Sequence, residues 1–294
     1  MKGMREIRNR IKAVKSTGQI THAMELVAAS KMKKAQHCAE AGRAYAVLLM
    51  DLTQMVGIGA KRQINETSVE SKSSKRLIIV FSTDKGLCGS LNTNLFRAIS
   101  EIKDENVGFI AVGNRAARFL ARTKRDMLAK FSLSDHVKFS ETRRIAAVAM
   151  KLAKEGKFGS IEVLYSLYVN TLRQEPTLVK IAPVDNLEMF IERLRVSYKL
   201  DTQERPQEDR IMNFEPSMEE IRKELPAYYI NQAIYHMALD AKASEHSARM
   251  VAMKSASDNA DKLVQALTLE YNKARQNAIT TEILELSAAS QISE

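Results

Sequence analysis

"ARMVAMKSASDNADKLVQALTLEYNKARQNAITTEILELS", residues 248–287, contains no glycine and no proline. The last proline of the chain is Pro226 and the last glycine is Gly159, so residues 227–294 hold neither. A continuous helix of that length would reach about 100 Å at 1.5 Å per residue. Such a rod leaves an apolar stripe in water unless a second helix covers it. The other end of the chain supplies a candidate. Residues 4–56 read as one long helix in which Ile7, Ile11 and Val14 share a stripe. Ile20, Met24 and Val27 continue that stripe after a phase slip near Gly18, and Met32 and Ala35 extend it. The two terminal helices are therefore expected to pair antiparallel. Ala248, Ala252, Ala256 and Ala260 form a four-residue ladder that lets another backbone come close, although a high alanine content alone produces the same spacing.

Between the helices the period changes. Residues 57–75, "GIGAKRQINETSVESKSSK", are polar and contain helix breakers, which marks a linker. "RLIIVFS" (76–82), "VGFIAVG" (107–113), "SIEVLYSLYVN" (160–170) and "TLVKIAPV" (177–184) read as strands. Helical stretches separate them: "LNTNLFRAISEIKDE" (91–105), "NRAARFLARTK" (114–124) and roughly 141–155. Strand–helix alternation implies a mostly parallel sheet with crossover helices. "DTQERPQEDR" (201–210) is a second polar linker. The expected organisation is an N-terminal coiled-coil helix (1–60), an α/β domain (75–200) and a C-terminal coiled-coil helix (210–294). The fold class is mixed α+β and α/β.

Composition agrees with long helices. Aromatics make up 6% of the 294 residues and tryptophan is absent, whereas alanine and methionine abound. The two cysteines, Cys38 and Cys88, form no spaced disulfide framework. "AYAVLLM" (44–50) is the longest apolar run, far short of the roughly 18 residues of a membrane span, so no direct membrane insertion is expected. Residues 1–43 carry ten Lys/Arg against three acidic residues, most of the net +10. A basic amphipathic start can be a transit peptide, but the helical pattern runs on without a small-residue cleavage signal.

Residues that could carry chemistry are sparse. The loop "STDKGLCGSLNTNLF" (82–96) has the strand–turn–helix form of a phosphate cradle, yet Gly86 and Gly89 fit neither GxGxxG nor GxxxxGK[ST]. A structural turn with Ser90 or Asn92 as helix N-cap explains the same residues. Gly156-Lys157 lacks the upstream glycine and the Ser/Thr of a phosphate loop. His22, His37, His136, His236 and His246 are scattered without metal-ligand spacing. Cys88 beside Lys85 reads as a reactive thiol or, more plainly, as a packed structural cysteine. No catalytic residue, cofactor or metal ligand is assigned. The clustered cations favour binding, either to an acidic protein surface or to nucleic acid.

Three segments carry a resemblance: "MREIRNRIKAVKSTGQITHAMELVAASKMKKAQ" (4–36), "STDKGLCGSLNTNLF" (82–96) and "SEHSARMVAMKSASDNADKLVQALTLEYNKARQNAITTEILEL" (244–286). They closely resemble the gamma subunits of bacterial-type F-type ATP synthases, in order along the chain, while 97–215 matches in type and length only. The resemblance implies a Rossmann-like domain without nucleotide chemistry, inserted between two helices that form an antiparallel coiled coil. It implies a non-catalytic rotor shaft within a ring of three alpha and three beta subunits. The foot of the shaft would sit with the epsilon subunit on the membrane c-ring, peripherally, at the cytoplasmic face of a bacterial plasma membrane. Proton flow would turn the shaft, whose asymmetry drives the catalytic sites through their cycle. By motif match, Met24 falls where the family shaft faces a beta-subunit lever. Arg249, Arg275, Gln276, Thr280 and Glu282 fall where the C-terminal helix engages the ring. Phe214 and Glu215, in "NFEPS" (213–217), match the foot near the c-ring. Asn277-Ala278 stands where many relatives carry Ala-Ser, and the plant-type insertion with a close cysteine pair is missing. A basic coiled-coil scaffold or a nucleic-acid-binding protein is the alternative; the resemblance implies no nucleic acid partner.

Overall fold

A computed structural model of the chain describes residues 2–42, 45, 74–104, 106–182, 215 and 217–292. The remainder of the expected first helix, almost all of the 57–75 linker, and the 201–210 linker lie outside the described residues. The described chain divides into two units, residues 1–28 with 249–294, and residues 29–248. Helix α1 (Lys2–Ala41) and helix α5 (Met218–Ile292) contribute to both.

In the first unit, sheltered positions of α1 recur at 4, 7, 11, 14, 18, 21, 25 and 28, with Met24 half-buried beside them. Sheltered positions of α5 recur at 253, 257, 260, 264, 267, 271, 274 and 278, and residues 249–252 and 256, among them Ala252 and Ala256, are half-buried as well. Both series alternate steps of three and four residues, which is the heptad spacing of a coiled-coil seam. The helices pair antiparallel along it. Gly18 and Ala260 meet so closely that a Cβ on Gly18 would lie 3.2 Å from that of Ala260. Ser257 donates its hydroxyl toward the Gly18 carbonyl at 3.5 Å. The phase slip expected near Gly18 is therefore absent. Gly18, Thr21 and Glu25 continue the seam without interruption, while Ile20 and Val27 are 59% and 54% exposed. The seam chose small residues where helices touch, and an apolar count misread it as a change of phase. The alanine ladder reaches the seam at Ala260, with Met253 and Ser257 occupying the preceding positions.

The second unit holds a five-stranded sheet among the described residues, in the order β3-β2-β1-β4-β5. Strands β1 (Arg76–Phe81), β2 (Val107–Val112), β3 (Met127–Phe131) and β4 (Ser160–Tyr168) run parallel, and β5 (Gln174–Ala182) pairs antiparallel with β4. Crossovers run through α2 (Leu91–Glu101), α3 (Asn114–Arg122) and α4 (Phe139–Lys154). Alternation along β1 divides its side chains between two faces. Ile78 and Val80 pack with Leu95, Ile99, Phe109 and Leu120 under α2 and α3. Leu77 and Ile79 pack with Ile145, Ala149, Ile234 and Met237 under α4 and the start of α5. Both faces are covered, which is why β1 and β2 read as continuous apolar runs. The edge strand β3 was not expected from the sequence. β5 begins three residues before its expected start, and Pro176 is tolerated because β5 is an edge.

Candidate functional site

Open parallel sheets bind ligands at the carboxyl ends of their strands, where the strand order reverses. Here that point lies between β1 and β4, and a crevice does open there. It is lined by Ser82, Thr83 and Asp84 after β1, Gly113 after β2, Asn92 on α2, Ser166 on β4, and Lys242 and Glu245 on α5. Its interior holds little more than a water molecule, whereas small-molecule sites span hundreds of cubic ångströms.

The donors that would hold a phosphate are committed within the chain. Gly113 has φ 102° and stands so close to Ser82 that any Cβ would collide with its carbonyl. That approach brings the first turn of α3 onto the loop after β1. Asp84 accepts the Asn114 N–H at 2.9 Å, the Ser82 hydroxyl accepts the Ala116 N–H at 2.8 Å, and the Thr83 carbonyl accepts the Arg115 N–H at 3.1 Å. Asp84 also accepts the Ser132 hydroxyl at 2.9 Å, which binds the loop after β3 to the same carboxylate. A carboxylate at a helix N-terminus already supplies the negative charge an anion would bring.

The expected loop 82–96 is structural in the same sense. Asn92 donates to the Thr83 hydroxyl at 2.8 Å and to the Cys88 sulfur at 3.1 Å, and its oxygen accepts the Thr83 N–H at 3.4 Å. Cys88 is buried. Ser90 occupies the N-cap of α2 but makes no side-chain cap bond. Asn92, the second residue of the helix, ties the loop instead of capping it.

Of the residues matched by family motif, Met24 lies on α1, Arg249, Arg275, Gln276, Thr280 and Glu282 lie on α5, and Glu215 precedes α5. Met24 and Arg249 are half-buried; Arg275, Gln276, Thr280, Glu282 and Glu215 are exposed; Phe214 lies outside the described residues. The Thr280 hydroxyl donates to the Gln276 carbonyl at 3.0 Å along the same helix. Around them Ile279, Ile283 and Leu284 are exposed, as are Leu263 and Leu269 further back on α5. On α1, Ile20, Leu26 and Val27 are exposed in the same way. The α1 part of this apolar outer surface escaped the sequence reading, which assigned Ile20 and Val27 to the seam. A strict three–four count through Gly18 would have found it.

No group of His, Cys, Asp and Glu among the described residues is arranged to hold a metal, and no described helix is long and apolar enough to cross a membrane. The described chain thus combines paired helices bearing apolar outer positions with an α/β unit whose crevice is lined by side chains bonded within the chain. Residues 3–291 match the family model described as ATP synthase. The chain is 45% identical to the ATP synthase gamma chain of Opitutus terrae over 98% of both chains, and 34% identical to that of Akkermansia muciniphila over 100% of both. Its fold matches a chain of the Tetrahymena thermophila mitochondrial ATP synthase central stalk and c-ring structure with a TM-score of 0.57 and 25% identity, covering 81% of this chain and 99% of that one. A chain of the Euglena gracilis mitochondrial ATP synthase rotor shares the fold with a TM-score of 0.65 at 17% identity, covering 94% and 99%. The chain belongs to the ATP synthase gamma-chain family. It is thus a non-catalytic, central-stalk subunit of a membrane-associated complex, and the scaffold or nucleic-acid alternative finds no support.

Proposed function

We propose that the chain works as the rotor shaft of a bacterial proton-translocating ATP synthase, at the cytoplasmic face of the plasma membrane. In this reading the paired helices turn inside a ring of three alpha and three beta subunits, and the foot rests with epsilon on the c-ring. Residues 1–60, 75–200 and 210–294 are its three working parts. The observation that carries the reading is the apolar outer surface of the shaft. Ile20, Leu26 and Val27 on α1 and Leu263, Leu269, Ile279, Ile283 and Leu284 on α5 are not used by the seam and stand exposed. Apolar groups repeated along exposed helix faces fit a surrounding sleeve better than open water. Non-directional contacts of this kind also let a shaft turn, because no position gains bonds that the next must break.

Fixed contacts are then few and polar. Gln276, Thr280, Arg275 and Glu282 would dock the shaft to the ring at one rotary position, with Arg249 further down and Met24 facing a beta-subunit lever. Glu215 and Phe214 would meet the c-ring. Purifying the chain through a tag from its own cells, after mild detergent extraction, tests the reading. Alpha, beta, epsilon and c subunits are expected to co-purify. Recovery of the chain alone, or with nucleic acid in their place, would overturn it.

A further inference from the structure

The first half of α5 meets the α/β unit in two different ways. Tyr229, Ile230, Ala233, Ile234, Met237 and Ala238 supply an apolar face to the sheet. Contacts of that type fix little, since apolar attraction has no preferred direction and alanines leave a smooth surface. One turn further on, the same helix becomes polar while staying buried. Lys242, Ser244, Glu245, His246 and Ser247 are all at most 6% exposed.

These groups are matched to particular atoms. The Ser244 hydroxyl donates to the Ser166 carbonyl near the end of β4 at 2.8 Å. The Ser247 hydroxyl, three residues on, donates to the Thr171 carbonyl in the β4–β5 hairpin, also at 2.8 Å. Gln174 reaches the same hydroxyl at 3.5 Å from the start of β5. Lys242 and Glu245 neutralise each other at 3.0 Å and point into the crevice at the carboxyl ends of β1 and β4. The positive side also reaches α1: Asp135, in the loop after β3, is held below the usual carboxylate range chiefly by its hydrogen bond from Lys31, and also by the charges of Lys242 and His246.

We infer that Lys242, Ser244, Glu245 and Ser247 form a latch that fixes the axial position and the azimuth of α5 on the sheet, and that torque between shaft and α/β unit passes through it. The inference rests on the rotor reading above. Turning α5 by one residue rotates it about 100°, and sliding it one turn moves it about 5.4 Å. Either displacement separates both serines from their carbonyls and leaves buried donors without partners, and it carries the Lys242–Glu245 pair, whose two members move together on the helix, away from its seat in the crevice. The four are positioning residues: they touch no substrate, and they act by holding the helix in register.

Two variants of the chain in its assembled complex, studied in inverted membrane vesicles, test this. Ser244→Ala with Ser247→Ala removes the hydroxyls, and Lys242→Met with Glu245→Leu replaces the ion pair by apolar groups of similar volume. The second exchange typically leaves stability unchanged or raised, so it separates latching from folding. In both variants ATP hydrolysis is expected to persist while proton pumping per ATP falls. Hydrogen exchange of the amides in the 169–173 hairpin of the full-length chain is expected to quicken by about tenfold in the serine variant. Unchanged pumping per ATP in both variants would overturn the latch. So would a parallel loss of hydrolysis and pumping in both, which would make these residues ordinary fold determinants. If the unaltered complex does not pump, the rotor reading fails instead, and unchanged exchange at the hairpin would then still refute the latch.

Discussion

Gly18 offers the sharpest test of the seam. It is buried on α1, its carbonyl accepts both the Thr21 hydroxyl at 2.9 Å and the Ser257 hydroxyl, and its missing Cβ would sit 3.2 Å from the Ala260 Cβ. Carbon atoms normally settle about 3.5–4.0 Å apart, so Gly18→Ala obliges the helices to open by a few tenths of an ångström. Against that strain, alanine gains about 1 kcal/mol of helix propensity over glycine. Gly18→Ala is therefore expected to be close to neutral. Gly18→Leu is different, because three further carbons must enter a seam with no room for them. Overpacking of this kind costs about 1–3 kcal/mol. In a thermal melt followed by circular dichroism, that loss is expected to lower Tm by roughly 2–10 °C. Adding Ala260→Gly should return part of the loss, with a coupling on the order of 1 kcal/mol in the double-mutant cycle. The sign is decisive. Leucine is a much better helix former than glycine, so if Gly18 faced solvent, Gly18→Leu would raise Tm. A melt at or above that of the unaltered chain, with no coupling to Ala260, would refute the seam.

Two further outcomes follow from the same structure. His236 is buried against Gly42, bonded to Gln232 at 2.9 Å, and burial pushes its pKa down to about 4 from 6.5. A depressed histidine contributes stability that is fully present above the unfolded value near 6.5 and is lost as pH falls toward about 4; a gap of that size is worth about 3 kcal/mol. Denaturation midpoints measured from pH 7 to pH 4 should fall less steeply for His236→Gln than for the unaltered chain, and equal slopes would contradict the assignment. Met24, half-buried beside the seam, is an unbranched side chain that slides past changing partners with little rotamer cost. Met24→Lys in the assembled complex is expected to leave ATP hydrolysis running while proton pumping falls disproportionately, and equal loss of both activities, or of neither, would remove Met24 from the rotating contact.

What could be read in the sequence, and what could not, divides along a physical line. β1, β2 and β4 were legible because two covered faces demand unbroken apolar runs, and "RLIIVF" or "VGFIAV" has no other use for so many branched side chains. β3, "MLAKF", was not, because an edge strand with exposed Met127 and Leu128 has no buried face to impose a period. The terminal helices were legible as a pair and Ile7, Ile11 and Val14 do lie on the seam, but beyond them the face was misplaced, since Gly18, Ser257 and Ala260 mark the seam there and not bulky residues. Motif matching assigned Met24 to a beta-subunit lever and Arg249, Arg275, Gln276, Thr280 and Glu282 to the ring, expectations that the chain by itself does not test. Ser244 and Ser247 left almost no trace, for a serine that bonds to a distant carbonyl is spelled the same as one in water. The residue types that announce a core are those whose burial is favourable by itself. Those that fix register work through a partner far away in the chain, such as Ser166 or Thr171, and only the fold brings the two together.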